Sequence, residues 1–543
     1  SAGVLRDRDL EGRTMSGCER TWLVVLALVV LAWHVPLEYR TGAGQDEDYY
    51  GITGTMALRH GLPSLPFVPA RNPQAAAYRA DTALYILPPL NSYLQALVHL
   101  FLGDGIGPAR LTSTLMGIAA MILVADLARI WYADRRAAVL AATAFVFSRA
   151  FLFPATMARP DMAAATFGLL ALWFVERGRP APGKRSLAGS GAAAGLALLC
   201  HPYAVVPAIE VGVTILAASG SLGKRLRSAA LYTAVALMVF VLWLPLIALH
   251  PDLFWVQFRG NVLARAVPGL GGTALAPHGT LFFQARHFVE FVGPLQAGLY
   301  AAALGWAAVG ARTPGPAREV LAHGVGSALL LAVFQGQHTA IGYYVYPVAI
   351  LSIAVGTLAS DLAAGIERAT GPAHAWGRAV ATAMAAGLLV VVFAPGAGLR
   401  TVCVHARHWN DPNYNARVLA RRVMADIPGS ARVAVDPAYL IDFYLAGRPV
   451  IGITIHPIIL DVRDYPYEYA VLGAHSLSCF PQMMGDLEFI RAYGDRNDPF
   501  SEYAELYRRV GGPREGPDSD AALSVPAAPP DREPVPAPGG RRR

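Results

Sequence analysis

A chain of 543 residues in which 54% are hydrophobic and only 15% are charged is too apolar for an ordinary soluble protein. Its net charge of +7 does not indicate a nucleic-acid-binding protein, because the basic residues form short clusters between apolar stretches rather than one basic face or tail. The composition therefore predicts an α-helical, multi-pass membrane protein.

The first apolar stretch, residues 21–38, follows a polar segment over residues 1–20 and has no small-residue cleavage site. We therefore expect an uncleaved membrane anchor rather than a signal peptide. Runs of about 20 mostly apolar residues predict further spans. They cover 109–131, 137–154, 162–176, 187–200, 204–220, 228–249, 291–310, 319–335, 340–360 and 379–397. Because the hairpin around Pro202 is ambiguous, the membrane domain over residues 21–397 is predicted to contain about 11 to 13 transmembrane helices.

The basic residues of the short loops indicate the orientation of the chain. They lie at Arg135-Arg136, Arg177 to Arg185, Lys224 to Arg227, and Arg312 to Arg318. The positive-inside rule places these loops and residues 1–20 in the cytoplasm, provided that residues 87–104 do not cross the membrane. Polar residues scattered along 87–104 favour a helix at the outer interface. Loops 39–108 and 250–290, and everything after residue 397, are then predicted to face outward.

Residues 398–510 are polar enough for a soluble domain. Strand-like runs at 431–436, 448–455 and 468–473 alternate with helix-like stretches, which predicts a small α/β domain. Residues 511–543 contain much Pro, Gly and charge and are predicted to be disordered. Cys403 and Cys479 share the outward side and form either a disulfide or two free thiols, since the sequence does not give their separation.

Three consecutive acids, Asp46-Glu47-Asp48, follow the first span. They either cap a short helix, where carboxylates accept backbone N–H bonds, or serve chemistry. A second acid, Asp161, follows Arg159 on the same predicted side, where it is either a helix cap or part of a site. Ionisable groups at a membrane boundary are often functional. Two carboxylates on separate outward loops are an arrangement that a transferase could use.

An ordered set of short motifs across residues 20–400 resembles the C superfamily of integral-membrane glycosyltransferases (GT-C), particularly the protein O-mannosyltransferase and aminoarabinose-transferase-like group. The motifs are Asp46-Glu47 with Tyr50 and Ala57, Pro88-Pro89-Leu90, Ala109-Arg110-Leu111, Arg159 with Asp161, Gly195-Leu196-Ala197 before His201-Pro202, and Tyr343 to Pro347. The resemblance implies the GT-C fold, with outward juxtamembrane helices.

The resemblance also implies a reaction, in which a sugar moves from a polyprenyl phosphate to a hydroxyl, with inversion, at the outward face of the membrane. Abundant Ala, Gly and Arg with few Lys indicate a bacterial protein, so we expect the inner (plasma) membrane, with the site on its periplasmic or extracellular face. Asp46 would be the general base, Glu47 its neighbour, and Asp161 would position acceptor or sugar. The expected acceptor is an envelope lipid or glycan, with protein Ser/Thr as the alternative. A lipid-linked-sugar flippase is the other class, although no internal repeat supports it. Metal-independent catalysis is expected, with Mg²⁺ or Mn²⁺ as the alternative.

The leaving lipid phosphate needs positive or hydrogen-bonding partners. Many members of the family have a Lys before the Pro-Pro-Leu motif, whereas this chain has Leu87. The candidate contacts to the donor are Arg159, Arg259, His338, Tyr343, Tyr344 and His201. Arg259 and His338 are the preferred phosphate pair, because each lies near a span end and aromatic residues. The alternative is that these residues are solvated loop charges and ordinary membrane packing.

Overall fold

The computed structural model describes residues 17–44, 46–264, 270–271, 273, 276–312, 315–338, 341–369, 375–393, 398–453, 462, 465–477 and 487–510. Within these ranges the protein is mainly helical, and a five-stranded sheet lies near the end of the chain. The predicted tail at 511–543, the N-terminal residues 1–16 and Cys479 fall outside the described residues.

The helices before residue 260 include the first candidate spans and the loop over residues 39–108 that is predicted to face outward. They are α1 (Gly17–Glu38), α2 (Glu47–Tyr50), α3 (Thr53–His60), α4 (Leu90–Leu102), α5 (Ile106–Tyr132), α6 (Arg135–Val146), α7 (Arg149–Thr156), α8 (Asp161–Arg177), α9 (Lys184–Cys200), α10 (Val205–Ala217), α11 (Leu222–Phe240), α12 (Leu244–Leu249) and α13 (Pro251–Phe258).

The later helices complete the bundle and lead into the C-terminal region. They are α14 (Pro277–Val292), α15 (Pro294–Gly310), α16 (Pro316–Gln335), α17 (Val345–Ala369), α18 (Ala375–Phe393), α19 (Leu399–Arg407), α20 (Ala416–Ala425) and α21 (Pro437–Leu445). The buried core of the bundle is built largely of Ala, Leu, Val and Phe from these and the earlier helices.

Five helices of the described chain are long and apolar enough to cross a membrane, or seven if each of two bent pairs counts as one span. Shorter apolar helices cover Pro202–Ala217 and Ala379–Phe393. The multi-pass architecture is therefore confirmed, while the count of 11 to 13 stays a prediction. The helices α9 and α10 meet at His201 and Pro202, which is where the sequence predicted a broken hairpin.

Two predicted elements have internal structure that the sequence did not indicate. The single span expected over 137–154 is two helices, α6 and α7, bent by 59°, because Ser148 caps a new helix by accepting a hydrogen bond from the Phe151 N–H. The loop expected over 250–290 is largely helical, and α14 and α15 meet at a bend of 120°. Gly293 lies at this bend with φ 86°, a conformation that glycine adopts without strain.

The helix expected at the outer interface is α4, and its two faces are distinct. Asn91, Gln95 and His99 are buried against the protein, whereas Leu100 and Phe101 are 62% and 76% exposed. An apolar face that no protein covers is suited to lipid. The depth of α4 in the bilayer stays a prediction.

The predicted strands are confirmed at β1 (Val433–Val435), β2 (Val450–Gly452) and β3 (Tyr469–Gly473). The sheet has the order β2-β1-β3-β5-β4, with parallel pairing among the first three strands and antiparallel pairing of β5 with both β3 and β4. Strands β4 (Leu487–Gly494) and β5 (Tyr503–Arg509) were not predicted. The boundaries of this region as a domain stay a prediction.

The C-terminal region binds the chain that follows α1. Arg40 donates from Nη2 to the Trp409 carbonyl at 2.6 Å, and its guanidinium lies 4.2 Å from the Trp409 ring centroid. The Gly42 N–H donates to Oε1 of Glu502 at 2.8 Å, and the Ala43 N–H donates to the Ala438 carbonyl at 3.2 Å. The sheet region therefore holds the segment that leads to the acidic cluster. Cys403 of this region is exposed and has no disulfide partner within the described ranges, which do not include Cys479.

Candidate active site

A buried ion pair anchors the acidic cluster to the membrane bundle. Arg110 of α5 donates from Nε and Nη2 to the two carboxylate oxygens of Glu47, at 2.8 and 2.6 Å. The two side chains are 4% and 1% exposed. Arg110 also donates to the carbonyls of Glu38, Thr41 and Gly42. One cation thus fixes both the end of α1 and the start of the outward loop.

Glu47 is fully occupied by these contacts and by two backbone donors. The N–H groups of Gly44 and Ala158 lie 2.6 and 2.7 Å from its carboxylate oxygens. Although burial alone raises the pKa of a carboxyl, the Arg110 charge and these hydrogen bonds hold the pKa of Glu47 below its ordinary value. Glu47 is therefore ionised and connects the loop to the turn before α8. This structural role was not indicated by its position in the sequence.

Asp46 lies beside this anchor and is the exposed member of the cluster. Its backbone has φ 71°, a left-handed conformation that costs a non-glycine residue about 1–2 kcal/mol. Its side chain is 42% exposed and contacts Nη1 of Arg159 at 2.5 Å. It makes no capping hydrogen bond to α2, so the capping alternative is wrong for Asp46.

Asp48 differs from its neighbours, because it is buried and one of its oxygens, Oδ1, has no hydrogen-bond partner among the described residues. Burial, and next the charge of Asp46, raise the pKa of Asp48 well above its ordinary value. The sequence offered helix capping as one role for this acid. The structure instead places it in the interior, where the neutral form is favoured.

Arg159 joins the two predicted acidic sites. Its Nε donates to Oδ2 of Asp161 at 2.8 Å, while its Nη1 contacts Asp46. Burial lowers the pKa of an arginine, but the charge of Asp161 outweighs it and the pKa of Arg159 rises well above its ordinary value. The guanidinium is also 5.8 Å from the ring centroid of Tyr50. A permanent cation thus lies between two carboxylates on separate loops.

Asp161 begins α8 and lines an open cleft. Its side chain is fully buried, and its Oδ1 atom has no hydrogen-bond partner among the described residues. Gly342 packs directly on it, since a Cβ atom there would lie 2.8 Å from the Asp161 Cγ. An unpartnered carboxylate oxygen at a cleft is an acceptor available to a ligand.

The wall beside Asp161 is aromatic and the floor is apolar. The ring of Tyr343 lies 4.9 Å from that of His201 and 4.2 Å from that of Tyr203, between centroids. Nδ1 of His201 accepts the Tyr203 N–H at 3.1 Å. Residues from α8, α10, α16 and α17 form the rest of the lining, which includes Ala164, Ala165, Val206, Pro207, Leu331 and Tyr346.

The remaining predicted donor contacts lie elsewhere. Tyr344 points away from the cleft, and its hydroxyl donates to Oε1 of Gln284 at 2.9 Å. His338 is exposed, and its carbonyl accepts from Nε2 of Gln284 at 2.8 Å. No ion pair within the described residues joins His338 or Arg259 to Asp46 or Asp161.

Arg259 is exposed but lies close to the loop that contains Leu87. Gln257 and Asn261 flank it, and their side-chain amides donate to the carbonyls of Ala83 and Ile86 respectively, at 2.9 and 3.4 Å. Arg259 therefore lies near Leu87, the position at which many members of the family have a lysine.

Sequence reasoning missed Arg110 and Tyr203 as parts of this site. Arg110 was noted only as part of a motif, although an arginine within an apolar span requires a buried partner. Tyr203 follows the His201-Pro202 pair that was noted, and only the fold shows that its ring meets Tyr343. Within the described residues, no group of three His, Cys, Asp or Glu side chains has the arrangement of a metal site.

Comparisons with known proteins agree with the fold. Residues 87–248 match the family model described as dolichyl-phosphate-mannose-protein mannosyltransferase. The structure of ArnT from Cupriavidus metallidurans bound to undecaprenyl phosphate is similar over 91% of this chain and 98% of that chain, with a TM-score of 0.60 at 18% identity. The apo structure of the same protein is similar over 90% and 98%, with a TM-score of 0.55 at 17% identity. No curated protein sequence matches significantly.

At these identities the structural similarity establishes the fold, while the family model covers less than a third of the chain. The two findings are independent and agree with the motifs in the sequence. They confirm the predicted resemblance, and the chain has the fold of the GT-C superfamily of integral-membrane glycosyltransferases.

Proposed function

We propose that the protein is a glycosyltransferase that moves a sugar from a polyprenyl phosphate to a hydroxyl of an envelope lipid or glycan, with inversion, at the outward face of the membrane. The observation that carries this proposal is the Asp46–Arg159–Asp161 triad beside a cleft with an aromatic wall. The partial exposure of Asp46 leaves it accessible to an acceptor, whereas Glu47 is buried and fully paired.

Asp46 is the general base in this proposal. Its carboxylate accepts the proton of the acceptor hydroxyl while the hydroxyl oxygen attacks the anomeric carbon of the donor. The bond between that carbon and the phosphate oxygen breaks, and its electron pair leaves with the lipid phosphate. Attack opposite to the leaving group inverts the configuration. The left-handed backbone of Asp46 and the Glu47 anchor hold the carboxylate for this step.

Asp161 orients the sugar. Its unpartnered Oδ1 can accept a hydrogen bond from a sugar hydroxyl, and its Oδ2 is held by Arg159. The rings of His201, Tyr203 and Tyr343 provide a surface on which the C–H face of a sugar can lie. The apolar residues beneath these rings offer no hydrogen bonds, so the cleft can pair only a few of the hydroxyl groups of a bound sugar.

Arg159 and Arg259 are proposed to stabilise the leaving phosphate. Arg159 has five N–H groups and contacts its two carboxylates through Nε and Nη1, so further N–H groups of the same guanidinium can face a phosphate. Arg259 adds a second positive charge in the neighbourhood of Leu87. The undecaprenyl phosphate bound in the similar structure of ArnT supports a polyprenyl carrier for this chain.

A second candidate acceptor is a protein Ser or Thr hydroxyl. The match of residues 87–248 to the mannosyltransferase family model favours it. The same base and the same cleft would serve both acceptors, because both reactions activate a hydroxyl. Identification of the glycosylated product separates the two.

The first experiment is mass spectrometry of lipids that co-purify with the protein, followed by a transfer assay with the identified donor. Asp46→Asn should lower kcat by about 10²- to 10⁴-fold, because general-base catalysis contributes that much. Asp104→Asn is the matched control, since Asp104 pairs with the exposed Arg59 outside the cleft. Unchanged kcat in Asp46→Asn, at normal protein yield, would remove Asp46 as the base. Export of the lipid-linked sugar without transfer would identify a flippase instead.

Metal independence is a further part of the proposal. A monophosphate leaving group has little charge to neutralise, and two arginines are proposed to meet it. Transfer should therefore be unchanged by EDTA. Loss of activity that added Mg²⁺ or Mn²⁺ restores would refute this part alone.

A further inference from the structure

A second group of ionisable side chains lies inside the bundle, away from the Asp46–Arg159–Asp161 triad. His323 of α16 directs Nδ1 at Oε1 of Glu210 on α10, at 2.6 Å, and Nε2 at Oε1 of Glu176 on α8, at 3.8 Å. The three side chains are 4%, 6% and 1% exposed. One histidine therefore connects three helices through two buried carboxylates.

Three further residues, Arg179, Glu319 and Trp131, extend this group, and Arg179 lies on the predicted cytoplasmic side. Nη2 of Arg179 is 3.0 Å from Oε1 of Glu176, and its Nη1 is 2.6 Å from Oε1 of Glu319. The Trp131 indole donates to Oε2 of Glu176 at 2.8 Å and stacks on the His323 ring with centroids 5.4 Å apart. The cationic end of the group thus lies in the basic loop that follows α8.

At its other end the group reaches the cleft. The Tyr346 hydroxyl lies beside the Glu210 carboxylate, and the same tyrosine lines the cleft below Asp161. Val206 and Pro207, one turn before Glu210 on α10, also line the cleft. The helices that His323 connects are therefore the helices that form the cleft walls.

Ionisable groups inside a membrane bundle are expensive and mark functional positions more often than structural ones. Breaking a buried pair by removing one partner is strongly destabilising, because it leaves an uncompensated charge. The separation of α8, α10 and α16 is consequently fixed by charge pairing rather than by apolar packing alone.

We propose that His323, Glu210 and Glu176 are positioning residues that set the geometry of the inner cleft wall, and that they control how tightly the polyprenyl-phosphate donor binds. This inference rests on the proposed function. None of the three residues touches the reacting atoms. Their effect reaches the donor through Tyr346, Val206 and Pro207.

The test measures binding of undecaprenyl phosphate to the full-length protein in lipid nanodiscs. Glu210→Ala and His323→Ala should each weaken binding by tenfold or more, because each leaves the other member of the buried pair without its partner and allows α10 to move. The double variant Glu210→Gln/His323→Gln replaces the pair by two neutral amides that can hydrogen-bond. It should bind within about threefold of the wild type.

Ser190→Ala is the control for a general loss of stability. Ser190 is buried in α9, donates to the Ala171 carbonyl at 2.8 Å and does not line the cleft. It should leave binding unchanged even where it lowers the melting temperature. Equal binding by the single variants and the wild type, equal weakening by Ser190→Ala, or no recovery in the double variant would overturn the inference. If the wild type itself failed to bind undecaprenyl phosphate, the proposed donor would be overturned together with it.

Discussion

Replacing Arg110 by methionine removes the cation that holds the start of the outward loop. Arg110 bonds both oxygens of Glu47 and the carbonyls of Glu38, Thr41 and Gly42. Methionine fills similar space but donates no hydrogen bond. Glu47 would keep only its two backbone donors in a site where it is 1% exposed.

The expected cost follows from this burial. Removing one partner of a buried ion pair destabilises a protein by about 3–5 kcal/mol. Glu47→Gln should cost less, about 1–3 kcal/mol, because the amide oxygen still accepts a hydrogen bond and Arg110 keeps its three carbonyls. The double variant should cost less than the sum of the two single variants by about 2 kcal/mol, since the uncompensated carboxylate is then absent.

The assay is unfolding by SDS titration in mixed micelles, together with transfer activity. Arg59→Met is the matched control: Arg59 pairs with Asp104 at the surface, with 34% and 25% exposure, and its loss should cost less than about 1 kcal/mol. Arg110→Met should also lower transfer by about 10²-fold through displacement of the adjacent Asp46. A cost below 1 kcal/mol for Arg110→Met, or strictly additive effects in the double variant, would refute the reasoning.

Two further predictions follow from other contacts. Burial raises the pKa of Glu502 to about 7 from an ordinary 4.5, so the folded protein binds more protons than the unfolded one between these pH values. The contribution of Glu502 to the free energy of unfolding is then fully present below pH 4.5 and is lost as the pH rises through 7, by about 3 kcal/mol at most. The melting temperature of Glu502→Gln should therefore vary less with pH than that of the wild type. Gly342→Ala should lower transfer about tenfold, because the added methyl group displaces Asp161. Gly326→Ala is the control and should leave transfer unchanged, since the space around Gly326 is open. Equal activity of the two variants would contradict the close contact between Gly342 and Asp161.

The multi-pass architecture and three of the strands could be predicted, because each depends on a short stretch of sequence. Hydropathy indicated the multi-pass architecture, and the runs around Val433, Val450 and Tyr469 indicated three strands. Strand β4 was missed because its residues are mostly exposed and do not alternate between buried and exposed positions. The break at Ser148 was missed because the run over 137–154 is mostly apolar, and the capping hydrogen bond that begins a new helix after Ser148 is visible only in the structure.

The site was predicted in part. Motif order and topology placed Asp46 and Asp161 on one side, and the structure brings both to Arg159. The pairing of Glu47 with Arg110, 63 residues apart, depends on how α5 packs against α1 and has no local signal. The same holds for Asp48, which is buried and whose helix, α2, packs against α21 of the C-terminal region. The catalytic roles themselves stay predictions.

The contacts between Gly42 and Glu502 span 460 residues of sequence. During synthesis, α1 and the acidic loop are made long before β5 is translated. Until then the loop lacks the hydrogen bonds that Glu502, Ala438 and Trp409 provide. A nascent or C-terminally truncated chain would therefore have its membrane helices in place, while Asp46, the proposed base, would lack this support. If Asp46 is the base, we expect transfer to begin only when the last strand has been made, so that an incomplete chain does not consume the proposed donor.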